Sequence, residues 1–282
     1  CSEIFYDHGE AFSGESPAEG VDTGDRFVEI YNLVFMQFNR SPDGELSPLP
    51  KPSVDTGMGL ERITAVLQGI NDNYKTDLFK DLIKKIASNL GALNLENPSL
   101  RVIADHLRSS SYLIADGLSV SNEGRGYVLR RIIRRALRHA YKLNPDYEKP
   151  LSGLVKELVS QMGKEHSFLN KNKKIIEKTI KKEEQQFSLT LRNGMRIFEE
   201  ETPKDVKEVS GELAFKLYDT FGFPLDMTID LAREKNIAVN IKEYEELMEQ
   251  QRDLAKASSN FDSLMPSSLS LDKPTNFIGY DK

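Results

Sequence analysis

The sequence has no tryptophan, one cysteine and four histidines in 282 residues. A single cysteine excludes an internal disulfide, and the histidines lack the close spacing of metal ligands; they are His8, His106, His139 and His166. No apolar stretch approaches the roughly 20 residues that a membrane span needs. We therefore expect a protein of the reducing cytoplasm, with neither a membrane span nor a metal site in this chain.

The start of the chain lacks an initiator methionine and a signal peptide. The first residues, Cys1 to Ile4, contain no basic region and no apolar run after it. We expect the chain to be a segment of a longer protein. With 282 residues it is long enough for two domains and a substantial buried core.

Charge is unevenly distributed along the chain, whose formal net charge is −6. Residues 1–50 contain ten acidic residues and two arginines, hence −8, whereas residues 101–142 contain nine basic and three acidic residues, hence +6. This distribution predicts an acidic body that carries a basic stripe. Such a stripe can attract a polyanion locally even though the whole protein is acidic.

The first part of the chain has the pattern of an antiparallel sheet. Ser2–Asp7 and Phe27–Phe38 are predicted strands, and the continuous apolar character of the second predicts that it is buried. Residues 9–26, rich in glycine, serine and acids, are predicted to form a surface loop. Ser41–Gly44 is predicted to be the turn that ends the second strand.

From Thr76 onward the periodicity is helical. Ile175–Glu200 is predicted to be one long helix, with Gly194 as a candidate for a bend. Its predicted apolar side consists of Ile175, Ile176, Ile180, Phe187, Leu191 and Ile197. The serine-rich stretch Ala255–Asn276 has too little apolar content to fold alone and is predicted to be a linker.

The most informative stretch is Val54–Arg62, VDTGMGLER, at a predicted junction of strand and helix. Gly57 and Gly59 allow a ligand to approach the backbone where any Cβ would exclude it. Asp55 can pair with an ammonium group, and Arg62 can bind phosphate or stack on a purine. This combination suits an amino acid activated on a nucleotide. The alternative is a glycine turn that begins an ordinary helix.

Four stretches together resemble class II aminoacyl-tRNA synthetases, in their alanine-specific form. Leu49–Ile63 is similar to the third signature motif of that family. The other stretches are CSEIFYDHG at 1–9, EIYNLVFMQFNR at 29–40, and 101–139, which is similar to the start of the helical tRNA-binding region. The resemblance implies an α+β fold, in which the C-terminal part of the class II antiparallel sheet (1–72) precedes a mostly helical domain that recognises the tRNA acceptor stem (73–256). Residues 257–282 would be a linker toward an editing domain.

The activity that the resemblance implies is ATP-dependent formation of alanyl-adenylate from L-alanine, followed by transfer to the 3′ end of tRNA(Ala). ATP and Mg²⁺ are the implied cofactors, and no DNA partner is expected. Family members carry a first motif, and a second motif whose arginine binds ATP, ahead of the point where this chain starts. We therefore expect this chain alone not to form the adenylate. Zinc is expected only in the editing domain, whose entrance Phe277–Asp281 resembles.

By the same resemblance, Asn32 and Asp55 would hold alanine, with Asp55 on its ammonium group. The implied ATP-binding residues are Ile30, Tyr31, Asn32, Gly59 and Arg62, and the implied catalytic residues are Asp55 and Arg62. Tyr31 occupies the position where the family usually has tryptophan, and Glu29 could reach Mg²⁺ or ATP. Structural alternatives are an N-cap for Asp55, a surface cation for Arg62 and a satisfied core amide for Asn32.

A basic helix is predicted over Tyr127–His139. Its apolar side comprises Leu129, Ile132, Ile133, Ala136 and Leu137, and the opposite side is predicted to be a cationic ridge of Arg130, Arg131, Arg134, Arg135 and Arg138. Arginines without alternating glutamates repel one another, which favours contact with an RNA backbone over a merely solvated face.

Phosphate contacts set position, whereas identity needs polar groups at base edges. The resemblance implies that Asn122, in SNEGRG, and Asp219, in LYDTFGFP, read a wobble G·U pair of the acceptor stem from its shallow minor groove. The structural alternatives are a turn-forming asparagine and a helix-end aspartate. For the whole chain, the alternative function is a non-catalytic helical module that binds tRNA or another RNA.

Overall fold

The computed structural model describes residues 2–18, 21–147, 150–203 and 206–258. Its contacts divide the chain into two compact units, with the division between Leu189 and Thr190, inside a long helix. This division differs from the boundary that we expected near residue 73, where strands give way to helices. The division into functional segments stays a prediction.

The described part of the first unit contains the expected antiparallel sheet, in the order β1 (Ser2–Asp7), β2 (Phe27–Arg40), β3 (Leu46–Met58). The predicted α+β fold is therefore confirmed. Residues 8–26 connect β1 to β2 without a described strand, as predicted. The ends of this loop are joined where Arg26 Nε donates to Asp7 Oδ1 at 2.8 Å. That bond, helped by the backbone N–H of Gly9, lowers the pKa of Asp7 to about 2.

The prediction that β2 is buried is wrong. Its first eight residues are half-buried and its last six are exposed, with Phe35 and Phe38 each 56% exposed. A continuous apolar run indicates a strand covered on both faces. In the described residues, no second layer covers this end of the sheet.

The helices follow the sheet in chain order. They are α1 (Leu60–Leu67), α2 (Asp77–Leu90), α3 (Pro98–Ala115), α4 (Gly124–Leu143), α5 (Val155–Met162), α6 (Ser167–Glu201), α7 (Gly211–Asp219), α8 (Leu225–Glu234) and α9 (Ile241–Ser258). Short 3₁₀ turns lie at Asn73–Lys75 and Leu151–Leu154, and a two-stranded parallel pair joins β4 (Glu208–Val209) to β5 (Ala238–Val239). No described helix is both long and apolar enough to cross a membrane.

The helical core of the first unit follows the apolar periodicity of the sequence. On α2 the buried positions are Phe79, Leu82, Ile83, Ile86, Ala87 and Leu90, and the helix ends at Gly91, whose φ of 69° suits a residue without Cβ. Asn97 caps the start of α3, and its side chain accepts a hydrogen bond from the N–H of Ser99. Helices α3 and α4 pack along their lengths and bury Ile103, Leu107, Leu129 and Ile133.

Helix α1 is tied to the helical core by a charged pair. Glu61 accepts a hydrogen bond from Arg108 on α3, and the guanidinium of Arg108 lies 4.5 Å from the centre of the Phe79 ring. Burial alone would raise the pKa of Glu61, but the Arg108 hydrogen bond holds it below its ordinary value. This link joins α1, which follows the sheet directly, to the helical core of the same unit.

The long helix α6 begins eight residues before the predicted start, at Ser167. Of its predicted apolar side, Ile176, Ile180, Phe187, Leu191 and Ile197 are buried, but Ile175 is 56% exposed and does not belong to that side. Gly194 packs closely against the ring of Phe223. A Cβ at position 194 would lie 2.8 Å from Cε2 of Phe223 and closer still to two other atoms of that ring.

The predicted linker lies mostly outside the described residues. Helix α9 continues to Ser258, so its last turn is helical where the serine-rich stretch was expected to begin. The predicted entrance of the editing domain, Phe277–Asp281, lies outside the described residues.

Candidate functional site

The strand-to-helix corner forms where the motif predicted it. Strand β3 ends at Met58, Gly59 has the extended φ and ψ of −72° and 112° that begin α1, and no side chain caps the helix. Asp55 is therefore not the N-cap. It lies inside β3, exposed to solvent.

The register of β2 and β3 puts Asn32 and Asp55 on one face of the sheet. Asn32 is paired with Gly57, and Val34 is paired with Asp55. Side chains of paired residues share a face, and so do those of residues two apart on one strand. Asn32 and Asp55 are thus diagonal neighbours, whose Cα atoms are typically about 7–8 Å apart in such pairs. The structure brings together the two residues expected to hold alanine.

Gly57 leaves open space beside Asn32. A Cβ on Gly57 would meet no atom within 4 Å, and its φ lies outside the left-handed region. Neither the backbone nor a protein neighbour requires glycine at this position. The absent side chain therefore leaves open space on the sheet face between Asn32 and Asp55, the Gly57 hollow.

A β-bulge turns Glu29 toward the same face. On β1, Ile4 is paired with Tyr31 and Phe5 with Glu29, so that Ile30 has no partner. Ile4 and Phe5 lie on opposite faces, and the extra residue places Tyr31 and Glu29 on opposite faces as well. Since Asn32 faces away from Tyr31, Glu29 shares the face of Asn32.

Arg62 is bound to Glu29. Its Nη1 donates to the Glu29 carbonyl at 2.6 Å and lies 3.8 Å from Oε2 of the Glu29 carboxylate. Its methylene groups pass Gly59, where a Cβ would lie 3.2 Å from Cδ of Arg62. We expected Gly59 to admit a nucleotide; in the structure it makes room for the stem of Arg62.

Glu29 and Arg62 line a cleft of about 580 Å³. Its walls include Phe5 and Phe27 from the sheet and Asp72, Tyr74 and Arg101 from the following segment. The volume falls in the range of about 300–1,000 Å³ typical of small-molecule sites. Asn32 and Asp55 do not line this cleft, so the structure separates an Arg62 subsite from an Asn32–Asp55 hollow farther along the same face.

The register places the side chain of Tyr31 away from Asn32, and its predicted contact with ATP stays a prediction. Tyr31 lies on the face opposite Asn32, and its hydroxyl lies 3.4 Å from Oγ1 of Thr56. Its ring cannot stack on a ligand that Asn32 contacts. The carbonyl of Ile30 accepts a hydrogen bond from the N–H of Gly59 at 3.3 Å, where the strand ladder ends, and its predicted contact with ATP stays a prediction.

The arginines of α4 do not form the predicted common ridge. Arg131 and Arg135 are exposed, Arg130 and Arg134 are partly buried, and Arg138 is only 1% exposed. The expectation that Arg138 faces RNA phosphate is therefore wrong in this structure. Whether Arg131 and Arg135 contact RNA stays a prediction.

Arg130 and Arg134 bind Glu183 of α6. Arg134 Nε lies 2.6 Å and Arg130 Nε 3.5 Å from Glu183 Oε1, and Glu183 is 3% exposed. The Arg134 guanidinium also lies 4.4 Å from the centre of the Phe187 ring. Glu183 was not among the residues predicted from the sequence to contact these arginines. One feature of the sequence could have revealed Glu183 as a buried residue. It lies three residues after Ile180 and four before Phe187, a spacing that puts it on the apolar side of α6.

The two predicted identity residues, Asn122 and Asp219, are exposed, and each accepts a hydrogen bond from a neighbour. Asn122 precedes α4 and accepts from Arg130 Nη1 through Oδ1. Asp219 ends α7 and accepts from Gln251 Nε2 of α9. A carboxylate at the C-terminal end of a helix opposes the helix dipole, at a cost of about 0.3–1 kcal/mol. Asp219 is thus placed where helix stability disfavours it, and its role in reading the acceptor stem stays a prediction.

The profile of the family described as tRNA synthetases class II (A) matches residues 1–282. The chain belongs to this family.

The curated relatives compared with this chain are alanine–tRNA ligases. The chain is 52% identical over 281 residues to an alanine–tRNA ligase of Shewanella loihica, which covers 99% of the chain and 32% of the relative. It is 52% identical over 283 residues to an alanine–tRNA ligase of Hydrogenovibrio crunogenus, covering 100% of the chain and 33% of the relative. A third alanine–tRNA ligase, of Psychromonas ingrahamii, is 49% identical over 282 residues. The chain spans about a third of the length of these relatives.

Proposed function

We propose that this chain is the central part of an alanine–tRNA ligase. It contributes the motif 3 side of the site that activates L-alanine with ATP, and the helical domain that binds the acceptor stem of tRNA(Ala). The observation that carries the proposal is the shared sheet face of Glu29, Asn32 and Asp55, with the gap at Gly57 between the last two. The family match and the named relatives support it.

The order of groups along this face fits an amino acid joined to a nucleotide. Asp55 accepts from the ammonium group, the hollow at Gly57 receives the methyl side chain, and the Asn32 amide binds the carboxyl group. Arg62, farther along the face, neutralises phosphate charge or stacks on adenine. Holding carboxylate and α-phosphate in line makes the step effectively intramolecular, which can contribute about 7–11 kcal/mol. The carboxylate oxygen then bonds to phosphorus as pyrophosphate leaves.

ATP and Mg²⁺ fit these residues. Among the described residues no group of three or more potential metal ligands occurs. Mg²⁺ commonly uses substrate phosphates and only one or two protein carboxylates, and Glu29 supplies one on the correct face. When bound, the ion stabilises negative charge that develops on the phosphates.

RNA binding is the second part of the proposal. Of the five arginines predicted to form the ridge, Arg131 and Arg135 are the two whose exposure permits contact with phosphate. Asn122 and Asp219 supply the short polar groups that can reach base edges in the open minor groove of an A-form helix, and we assign them to a wobble G·U pair.

A non-catalytic RNA-binding module is the competing function. It leaves the open space at Gly57 unexplained, since neither the backbone nor a protein neighbour requires glycine there. Such a module would bind an acceptor-stem hairpin but no adenylate.

The test is a thermal-shift titration of the chain with a non-hydrolysable alanyl-adenylate analogue. We expect a concentration-dependent rise of Tm that Asp55→Asn abolishes, because the amide lacks the charge that binds the ammonium group. Asp43→Asn, a similar change in the exposed turn after β2, is the control and should keep the shift. An acceptor-stem hairpin that binds while the analogue produces no shift would establish the competing function.

A second measurement concerns activity of the chain by itself. We propose that it catalyses no alanine-dependent exchange of pyrophosphate into ATP. Arg62 already carries Glu29 as a partner, and a triphosphate needs further cations on this face. Exchange by the purified chain above the rate of Asp55→Asn would refute this part.

A further inference from the structure

Arg130 connects a buried carboxylate to the exposed loop before α4. Its Nη1 donates to Oδ1 of Asn122, and its Nε lies 3.5 Å from Oε1 of Glu183. Glu183 is also held by Arg134 Nε at 2.6 Å. The guanidinium is therefore fixed at one end by buried charge, and its other end is available to orient the asparagine.

The loop that carries Asn122 is itself fixed against α4. A Cβ on Gly126 would lie 2.9 Å from the backbone N of Ser121 and closer still to the carbonyl oxygen of Ser119. Only glycine allows this approach of the loop to the first turn of the helix. Ser121 Oγ also donates to the carbonyl of Glu123 at 2.7 Å. The backbone on both sides of Asn122 is thus held in place, and only its side-chain rotation remains to be set.

We propose that Arg130 is a positioning residue that sets the orientation of the Asn122 amide. By holding Oδ1, it turns the Nδ2 amino group of Asn122 outward as a hydrogen-bond donor. The inference rests on the proposed function of Asn122 in reading the acceptor stem. It replaces the expected phosphate contact of Arg130 with a contact inside the protein.

This orientation determines what Asn122 can recognise. An outward amino group donates, so it binds an acceptor on the minor-groove edge, such as the O2 of a pyrimidine, which the wobble geometry of a G·U pair displaces from its position in a G·C pair. The exocyclic amine of guanine is itself a donor and needs an acceptor, which a carboxylate such as that of Asp219 provides. Asn122 and Asp219 therefore read opposite hydrogen-bonding characters.

The first experiment measures the affinity of the chain for two acceptor-stem hairpins that differ only in a G·U or a G·C pair. Arg130→Met removes the donor, keeps a chain of similar bulk and leaves Glu183 with Arg134. We expect it to lower the preference for G·U by about 5- to 100-fold, the discrimination typical of one good base contact. Arg130→Lys, which retains one donor, should restore part of the preference. Arg131→Met, an exposed change on the same helix, should weaken both hairpins equally.

Asn122→Asp tests the direction of the hydrogen bond. The substitution preserves size but leaves only acceptor oxygens. We expect it to lose the preference for G·U as completely as Asn122→Ala. A preference retained by Asn122→Asp, or an equal loss for both hairpins in Arg130→Met, would overturn the proposal.

A third measurement does not depend on RNA. The free energy of unfolding is measured for four proteins: the parent, Arg130→Met, Asn122→Ala and the double variant. Together these values form a double-mutant cycle, which isolates the coupling energy between the two side chains. We expect a coupling of roughly 2- to 12-fold in the unfolding equilibrium constant, the size of one hydrogen bond. Absence of coupling would overturn the role of Arg130 even if the parent prefers the G·U hairpin to the G·C hairpin. Coupling without any preference of the parent for G·U would instead refute the proposed function and preserve the contact.

Discussion

Glu29 and Asn32 face the same side of the sheet although they are three positions apart along β2. The bulge at Ile30 causes this, because it adds one residue between the pairs Ile4–Tyr31 and Phe5–Glu29. Regular alternation would have placed the two side chains on opposite faces. Bulges frequently re-aim side chains next to active sites, and here the bulge places the carboxylate that binds Arg62 on the face of Asn32 and Asp55.

Replacing Gly57 with valine should separate ligand binding from stability. No protein atom lies within 4 Å of a Cβ at this position, and valine favours strands, so we expect the free energy of unfolding to change by less than about 0.5 kcal/mol. The added methyl groups fill the hollow beside Asn32. We expect the affinity for the alanyl-adenylate analogue to fall at least about tenfold, equivalent to roughly 1.4 kcal/mol.

The control for Gly57→Val is Thr56→Val, the adjacent position on the opposite face. It should leave analogue affinity within about twofold of the parent, a difference of roughly 0.4 kcal/mol. Isothermal titration and urea unfolding of the same preparations measure both quantities. Unchanged affinity in Gly57→Val would mean that the ligand does not occupy this hollow.

Local patterns predicted much of the fold. Ser2–Asp7 was predicted with its observed bounds, the glycine corner was placed correctly at Gly59, and four-residue spacing revealed most of α6. The bulge could not be predicted, because neither glycine nor proline marks Ile30. Such irregularities depend on which residues pair across strands, and pairing is not encoded in one strand alone.

The charged partners of the α4 arginines could not be predicted either, because they too depend on contacts between distant parts of the chain. Periodicity correctly placed Leu129, Ile133 and Leu137 in the core but could not show that Arg134 faces Glu183, 49 residues farther along the chain. A buried charge needs a partner, and that partner becomes visible only when α4 and α6 are packed together.

Gly194→Ala should destabilise the chain. The new methyl group would lie 2.8 Å from Cε2 of the fully buried Phe223 and closer to two other ring atoms. Overpacking of this kind typically costs about 1–3 kcal/mol, against a gain of about 1 kcal/mol from helix propensity. We expect a net loss in urea unfolding. Gly153→Ala, where a Cβ meets nothing within 4 Å, is the matched control, and a more stable Gly194→Ala would show that Phe223 can move aside.

Glu184→Gln should change how stability depends on pH. Burial raises the pKa of Glu184 above its ordinary value of 4.5, although the N–H of Leu151 and the hydroxyl of Tyr147 donate to it at 3.0 and 3.1 Å. A raised pKa means that the folded state binds the proton more tightly than the unfolded state. This contribution is fully present below pH 4.5 and is lost as pH rises through the folded pKa.

The measurement is the free energy of unfolding of parent and Glu184→Gln between pH 4 and pH 8. The glutamine retains an acceptor for Leu151 but cannot ionise, so the variant should gain stability relative to the parent as pH rises through about 4.5 and beyond. Glu245→Gln, an exposed replacement of the same kind, corrects for general effects of removing a carboxylate. A parent that gains relative to Glu184→Gln over this range would contradict the sign.

The exposed arginines of α4 can be tested by the salt dependence of RNA binding. Each phosphate contact contributes about 0.7–0.9 to the slope of log affinity against log salt concentration. If Arg131 and Arg135 both contact phosphate, the double variant Arg131→Ala, Arg135→Ala should reduce this slope by about 1.4–1.8. It should weaken binding to the G·U and G·C hairpins equally, because phosphate contacts do not read the base pair. Arg40→Ala, an exposed arginine at the end of β2, should leave the slope unchanged. An unchanged slope in the double variant would mean that these arginines form a solvated face, and that the polyanion is attracted by other cations.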